Sequence, residues 1–315
     1  MQVLWMVMST FLFSTMGVFI KYASNSFNTA EIVFYRGLIG MAILWWLARS
    51  QHISLKTRRP GMHVWRSVVG VTSMGCWFYA LTQIPLASAM TLNYMSSLWI
   101  AVIMLAGALW TLRPAHTGAR QPLNIPLVVT IAVGFVGVVL MLQPSFAQDQ
   151  TVPALIGLAS GLLSAFAYMQ LSALARAGEP ESRTVFYFGL GCTLMGAAGM
   201  AVVGVSDWPG WREALWLIPI GLLAAGGQVA LTKAYSSATT RKGTLVAANL
   251  QYSGIVFASL YSIFLFGDVL GAAGWTGMLL ITGCGIAASI FRARGAVQPA
   301  PAPATAPIPA QTPQR

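Results

Sequence analysis

Four ionisable side chains of this 315-residue chain, Lys21, Glu31, Arg36 and Lys233, stand inside or at the edges of long apolar stretches. Charge in such surroundings is costly, so each is a candidate for chemistry. Arg36 lies about six residues into its stretch, roughly 9 Å deep at 1.5 Å per residue. Glu31, five positions earlier, is about 140° away round a helix, so the two are not an i,i+4 pair. A guanidinium there anchors a carboxylate or phosphate in bidentate fashion, or else ties two helices together. Lys21 and Glu31 flank one short loop, Ser24 to Thr29. They are expected to form an ion pair, structural or a gate that opens and closes. Lys233 sits two residues from the end of its stretch, where it snorkels outward or faces a ligand.

Uncharged polar residues add a second pattern. Asn93 with Ser97, and Asn249 with Ser253, are each spaced i,i+4 and share a helix face. Tyr79, Tyr94, Trp99 and Tyr252, with Trp77, Gln170 and Gln251, extend these faces into the lining expected of a small-molecule site, apolar with a few directional polar groups. Hydrogen bonding between helices is the alternative use of the same residues. Cys76, Cys192 and Cys284, and His52, His63 and His116, lack metal-ligand spacing, so no metal and no cofactor are expected.

The elements that position these residues follow from hydropathy. With 57% apolar and 8% charged residues, the chain shows ten apolar stretches of about 18–23 residues. They run approximately Val3 to Tyr22, Ala30 to Ala48, His63 to Gln83, Ala87 to Trp110, Ile125 to Leu142, Ala154 to Leu174, Thr184 to Val203, Ala214 to Tyr235, Thr244 to Phe266 and Gly271 to Phe291. The fold class predicted is all-α integral membrane, with ten transmembrane helices. The formal charge of +11 is spread by sidedness and does not indicate nucleic acid. Loops on one side hold twelve Lys or Arg, those on the other Arg212 alone. By the positive-inside rule both termini are cytoplasmic. The Pro- and Ala-rich stretch 296–315 is expected to be a disordered cytoplasmic tail.

Val33-Phe34-Tyr35-Arg36-Gly37 recurs as Val185-Phe186-Tyr187-Phe188-Gly189. A shift of 156 pairs Tyr79 with Tyr235, Asn93 with Asn249 and Ser97 with Ser253, whereas a shift of 158 pairs Leu92 and Tyr94 with Leu250 and Tyr252. The register stays open between them. Two five-helix units, 1–145 and 150–292, follow. An odd number of spans per unit inverts the second relative to the first, an arrangement used by alternating-access carriers.

Lys21 near the end of the first stretch, Glu31 to Arg36 opening the second, and Ala87-Ser88-Ala89 to Leu92-Asn93-Tyr94 in the fourth resemble the EamA-type branch of the drug/metabolite transporter superfamily. The resemblance covers about residues 1–295. It implies a ten-helix carrier of small metabolites, often an exporter, in a bacterial cytoplasmic membrane. The family commonly places Pro soon after the tyrosine corresponding to Tyr94. Met95-Ser96-Ser97 stands here instead, which softens or removes a helix break. No Walker loop, metalloprotease helix or nucleophile elbow is present, so neither an ATP-driven pump nor an enzyme is expected. Lys21, Arg36 and Lys233 against Glu31 leave the interior positive. The cargo is therefore expected to be anionic or zwitterionic, an amino acid or organic acid, moved with a proton or other ion or uncoupled, by a monomer or homodimer. Organic-cation efflux is one alternative and an intramembrane enzyme or lipid-handling protein another.

Overall fold

The computed structural model describes residues 2–50, 52, 54–111, 125–147, 150–236 and 250–295. Among the described residues every regular element is a helix. They are α1 (Gln2–Ala23), α2 (Thr29–Ser50), α3 (Pro60–Gln83), α4 (Leu86–Tyr94), α5 (Ser96–Thr111), α6 (Ile125–Ala147), α7 (Thr151–Arg176), α8 (Glu181–Val203), the single turn α9 (Trp211–Ala214), α10 (Leu217–Ser236), α11 (Ser253–Phe266) and α12 (Ala272–Gly295). Among the described residues six helices are long and apolar enough to cross a bilayer: Val3–Ala23, Thr29–Ser50, Leu86–Gly107, Thr151–Leu171, Glu181–Val203 and Trp211–Ala234. Val128–Met141, Ser253–Phe266 and Ala272–Ala288 are shorter apolar helices. The 24-residue α3 is long enough but more polar, because His63, Arg66, Ser67 and Ser73 are buried along it.

Local sequence sets the helix ends. Asn28 and Glu31 form a reciprocal capping box at the start of α2, with Asn28 N–H donating to Glu31 Oε2 (2.7 Å) and Glu31 N–H to Asn28 Oδ1 (3.0 Å). Pro60, lacking an N–H that would be orphaned there, opens α3. Gly267 closes α11 in the left-handed conformation (φ 64°), its N–H on Ile263 O as in an αL cap, and Asp268 N–H reaches back to Ser262 O. Met95 interrupts the helix between α4 and α5 with φ −60° and ψ −8°, still right-handed. With Met95-Ser96-Ser97 in place of a proline, the interruption there is a soft one.

Four pairs of helices pack along their lengths: α2 on α8, α6 on α12, α1 on α10 and α3 on α7. In lipid there is little hydrophobic gain from helix association, so close backbone approach and hydrogen bonds carry the packing. Ser9 Oγ donates to Gly227 O (2.9 Å) between α1 and α10, and Ser73 Oγ to Ser160 O (2.8 Å) between α3 and α7. Tyr94, at the end of α4, lies against Gly254 of α11, so the two interrupted segments meet at the centre.

Candidate functional site

Each buried charge arrives from a different end of the bundle. Arg36 is seven residues into α2 and Arg66 six residues into α3, which starts at the opposite end, so each lies roughly 10 Å in. Both are buried, at 5% and 7% exposure. The Phe188 ring lies between their reach, 5.8 Å from Arg36 Cζ and 4.8 Å from Arg66 Cζ. Arg36 Nη1 donates to Cys192 Sγ at 3.5 Å, a weak acceptor. A Cβ on Gly70 would stand 2.9 Å from the Phe188 ring and 3.1 Å from Arg66 Nη1, so a larger residue there would press on both side chains. Among the described residues neither arginine meets a carboxylate.

These arginines line a central cavity of about 90 Å³. Ser9, Thr10 and Phe13 of α1, Ser73 and Trp77 of α3, Asn93 and Tyr94 of α4, Ser164 and Tyr168 of α7, Gln228 of α10 and Gln251 complete it. Asn93 Nδ2 donates to Ser160 Oγ (3.1 Å) and Ser164 Oγ (3.2 Å), and the Ser73 and Ser164 hydroxyls are 2.7 Å apart. Gln251 Nε2 donates to Tyr168 Oη at 3.2 Å. Among the described residues the wall is thus aromatic and hydroxyl-rich, with two cations and no acid.

Of the residues singled out in the sequence, Arg36, Trp77, Asn93, Tyr94 and Gln251 reach this cavity. Tyr79 does not: it is 37% exposed in a side hollow with Val33, Cys76 and Met195, because it lies about 200° round α3 from Trp77. Trp99 packs edge-on against Phe135 (5.2 Å), and Tyr252 lies edge-on to Tyr94 (6.5 Å) with its hydroxyl end at Gly285. Ser253 is behind the wall, its hydroxyl 2.8 Å from Thr10 Oγ1. Asn249 and the side chain of Ser97 lie outside the described residues. Lys233 is exposed, its Nζ 4.6 Å from the Trp5 ring centre.

The expected Lys21–Glu31 pair is replaced by two other contacts. Lys21 Nζ is 3.6 Å from Asp268 Oδ2 and 4.3 Å from the Phe266 ring centre, because the left-handed turn at Gly267 brings Asp268 over α1. Glu31 is held by its cap and by Ser206, whose N–H and Oγ donate to it at 3.1 and 2.6 Å. Arg66 is the functional candidate that sequence reasoning overlooked. Its signal was there: Arg66, Gly70, Ser73 and Trp77 recur at i, i+4, i+7 and i+11, a stripe on one helix face.

At the other end of the bundle, Glu179 accepts from Arg183 Nη1 (2.9 Å) and Thr57 Oγ1 (2.9 Å), with His63 Nε2 at 3.4 Å. Arg183 also donates through Nε and Nη2 to Ser54 O (3.1 and 2.8 Å). Burial pushes the Glu179 carboxyl up, but the hydrogen bonds from Arg183, Thr57 and His63 and the Arg183 charge outweigh it and hold it below its usual 4.5. A depressed carboxyl stabilises the fold above its unfolded value and loses that contribution as pH falls through the folded one. Thermal unfolding in detergent is expected to show wild type losing stability below about pH 4.5. Glu179→Gln should lower stability at neutral pH by about 1 kcal/mol or less and flatten that acid limb. An unchanged acid limb would exclude Glu179 as the titrating group.

Apolar helices of membrane-crossing length, gathered round a charged central cavity, define a membrane transport protein. The chain belongs to the EamA-like transporter family, whose model matches residues 1–143. It is 32% identical over 288 residues to the pseudopaline exporter CntI of Pseudomonas aeruginosa, spanning 90% of this chain and 94% of that one. A riboflavin transporter of Rhizobium johnstonii is 28% identical over 75% of this chain and 74% of its own. An S-adenosylmethionine uptake transporter of Rickettsia prowazekii is 28% identical over 44% of each. A crystal structure of a protein sharing 18% identity superposes with a TM-score of 0.60 over 93% of this chain and 98% of that chain, a likeness of fold. The protein is a transporter of small metabolites embedded in a lipid bilayer.

Proposed function

We propose that this chain is an alternating-access exporter of a small organic anion or zwitterion, built as ten spans in two inverted five-helix repeats with both termini cytoplasmic. The observation that carries the cargo class is the pair of buried guanidinium groups in the central cavity without a carboxylate partner among the described residues. A buried charge lacking a partner is unfavourable, and an acidic cargo supplies the missing one. The outward direction is favoured by the likeness to the pseudopaline exporter, and the inner-membrane location by the bacterial relatives.

The packing supports the repeat. Numbering the spans α1, α2, α3, α4/α5, α6 and then α7, α8, α9/α10, α11, α12, exchange of the halves turns the α1–α10 pair into the α3–α7 pair and maps α2–α8 and α6–α12 onto themselves. The clasps at the two ends obey the same exchange. Glu31 to Ser206 closes one end, and Arg183 to Ser54 closes the other. Residues 183 and 206 follow 31 and 54 by the same 152 residues that separate Val33 from Val185. In the central spans, Tyr94 and Tyr252 both flank helix interruptions, which favours the shift of 158 there. Alternate opening of these clasps would expose the cavity to each side in turn.

Flux into proteoliposomes from a panel of labelled amino acids, organic acids and organic cations tests the reading. Saturable movement of an anionic or zwitterionic solute is expected. Movement of cations alone would replace it with the organic-cation alternative.

A further inference from the structure

One anchoring cation suffices for a singly charged cargo, yet the cavity holds two. Arg66 reaches Phe188 from α3 while Arg36 reaches it from α2, at 4.8 and 5.8 Å to the ring centre. The sum of those distances is the most that can separate the two guanidinium carbons. Like charges at that range repel, and burial removes the water that would screen them. Attraction to an aromatic face offsets only a small part of that cost.

The hydrogen-bonding capacity left over is equally one-sided. Arg36 Nε, Arg66 Nε and Trp77 Nε1 are buried N–H donors without an acceptor among the described residues, and all three side chains line the cavity. Among the described residues no Asp or Glu lines it. Such a site is complementary to a group rich in acceptors and negative charge.

Resting on the carrier reading above, we infer that the cargo is doubly negative, with Arg36 taking one charge and Arg66 the other beside Phe188. A monoanion satisfies one guanidinium and leaves its neighbour buried and uncompensated, so discrimination against it follows from the site's own unpaired donor. Two carboxylates on a short skeleton meet this requirement, and so does a single phosphate monoester.

Calorimetric binding to the purified full-length protein in detergent separates these cases. The probes are succinate, its half-amide succinamate, which has the same skeleton and one charge fewer, and glycerol 3-phosphate. Wild type is expected to bind a doubly charged probe at least about tenfold more tightly than succinamate, about 1.4 kcal/mol. Arg66→Gln should remove that preference, weakening the doubly charged probe at least about tenfold more than it weakens succinamate. Tight binding of glycerol 3-phosphate rather than succinate would place both charges on one phosphate. Equal affinity of wild type for succinate and succinamate, without tighter binding of the phosphate, would overturn the double charge and leave the Arg36 anchor standing. Failure of every anion to bind, with cation flux in proteoliposomes, would overturn both. A second measurement needs no ligand. If Arg66 awaits a cargo charge, Arg66→Met raises the melting temperature of the empty protein; a fall would make Arg66 a structural residue and overturn the inference.

Discussion

Arg36→Gln is expected to abolish measurable transport while the protein remains folded. Truncating one partner of a buried, hydrogen-bonded charge pair costs about 2–5 kcal/mol. That corresponds to a loss of roughly 30-fold or more in cargo affinity. The change removes a charge from a cavity with no acid among its described residues, so it leaves none of their carboxylates orphaned. Its one described side-chain hydrogen bond, to Cys192 Sγ, is long at 3.5 Å. Arg36→Lys should retain part of the activity, since an ammonium keeps the charge but loses the planar two-donor fork. Initial rates in proteoliposomes, with circular dichroism as the control for folding, give the result. Full activity in a folded Arg36→Gln protein would remove Arg36 from the cargo site.

The second large effect concerns the seam between α2 and α8. A Cβ on Gly37 would lie 2.6 Å from both Cys192 Cβ and Thr193 N and 2.9 Å from Gly189 O. Two of those three atoms are backbone and cannot turn aside as a flexible side chain would. Gly37→Ala must therefore push the helices apart, at a cost of about 1–3 kcal/mol for an overpacked core and more if the seam opens along its length. Gly40, one turn further along α2, has nothing within 4 Å of its Cβ position. Gly40→Ala is the matched control and should be neutral. Monodisperse yield and thermal unfolding in detergent would show the difference. Equal behaviour of the two variants would mean that α2 and α8 do not approach as closely as described. Since Arg36 adjoins Gly37 and Cys192 lies across the seam, loosening it should also weaken cargo binding.

The Lys21–Glu31 pairing failed for a reason the sequence could have supplied. Asn28-x-x-Glu31 is a capping-box pattern, and a carboxylate engaged by backbone N–H groups at its own helix start has little left for a lysine across the loop. Asp268, the actual partner of Lys21, is 247 residues away in sequence and arrives through the turn at Gly267. No local pattern encodes that meeting. Tyr79 shows the opposite case: its residue type suited a cavity, but helix periodicity already assigned it to a different face from Trp77.

What the sequence determined by itself was the material of the protein. Long apolar stretches dictate helices because hydrocarbon leaves backbone groups only internal partners, and sparse intramembrane charge marks Arg36 as exceptional. The stripe of Arg66, Gly70, Ser73 and Trp77 was equally legible, being a matter of spacing on one helix. The tertiary structure decided which faces turn inward together. It placed Arg66 beside Arg36 at Phe188, sent Lys21 to Asp268 and Glu31 to Ser206, and put Ser253 behind Thr10. Periodicity defines a face within one helix, but the rotation of that helix against its neighbours depends on contacts between residues far apart in the chain, such as Gly37 with Cys192.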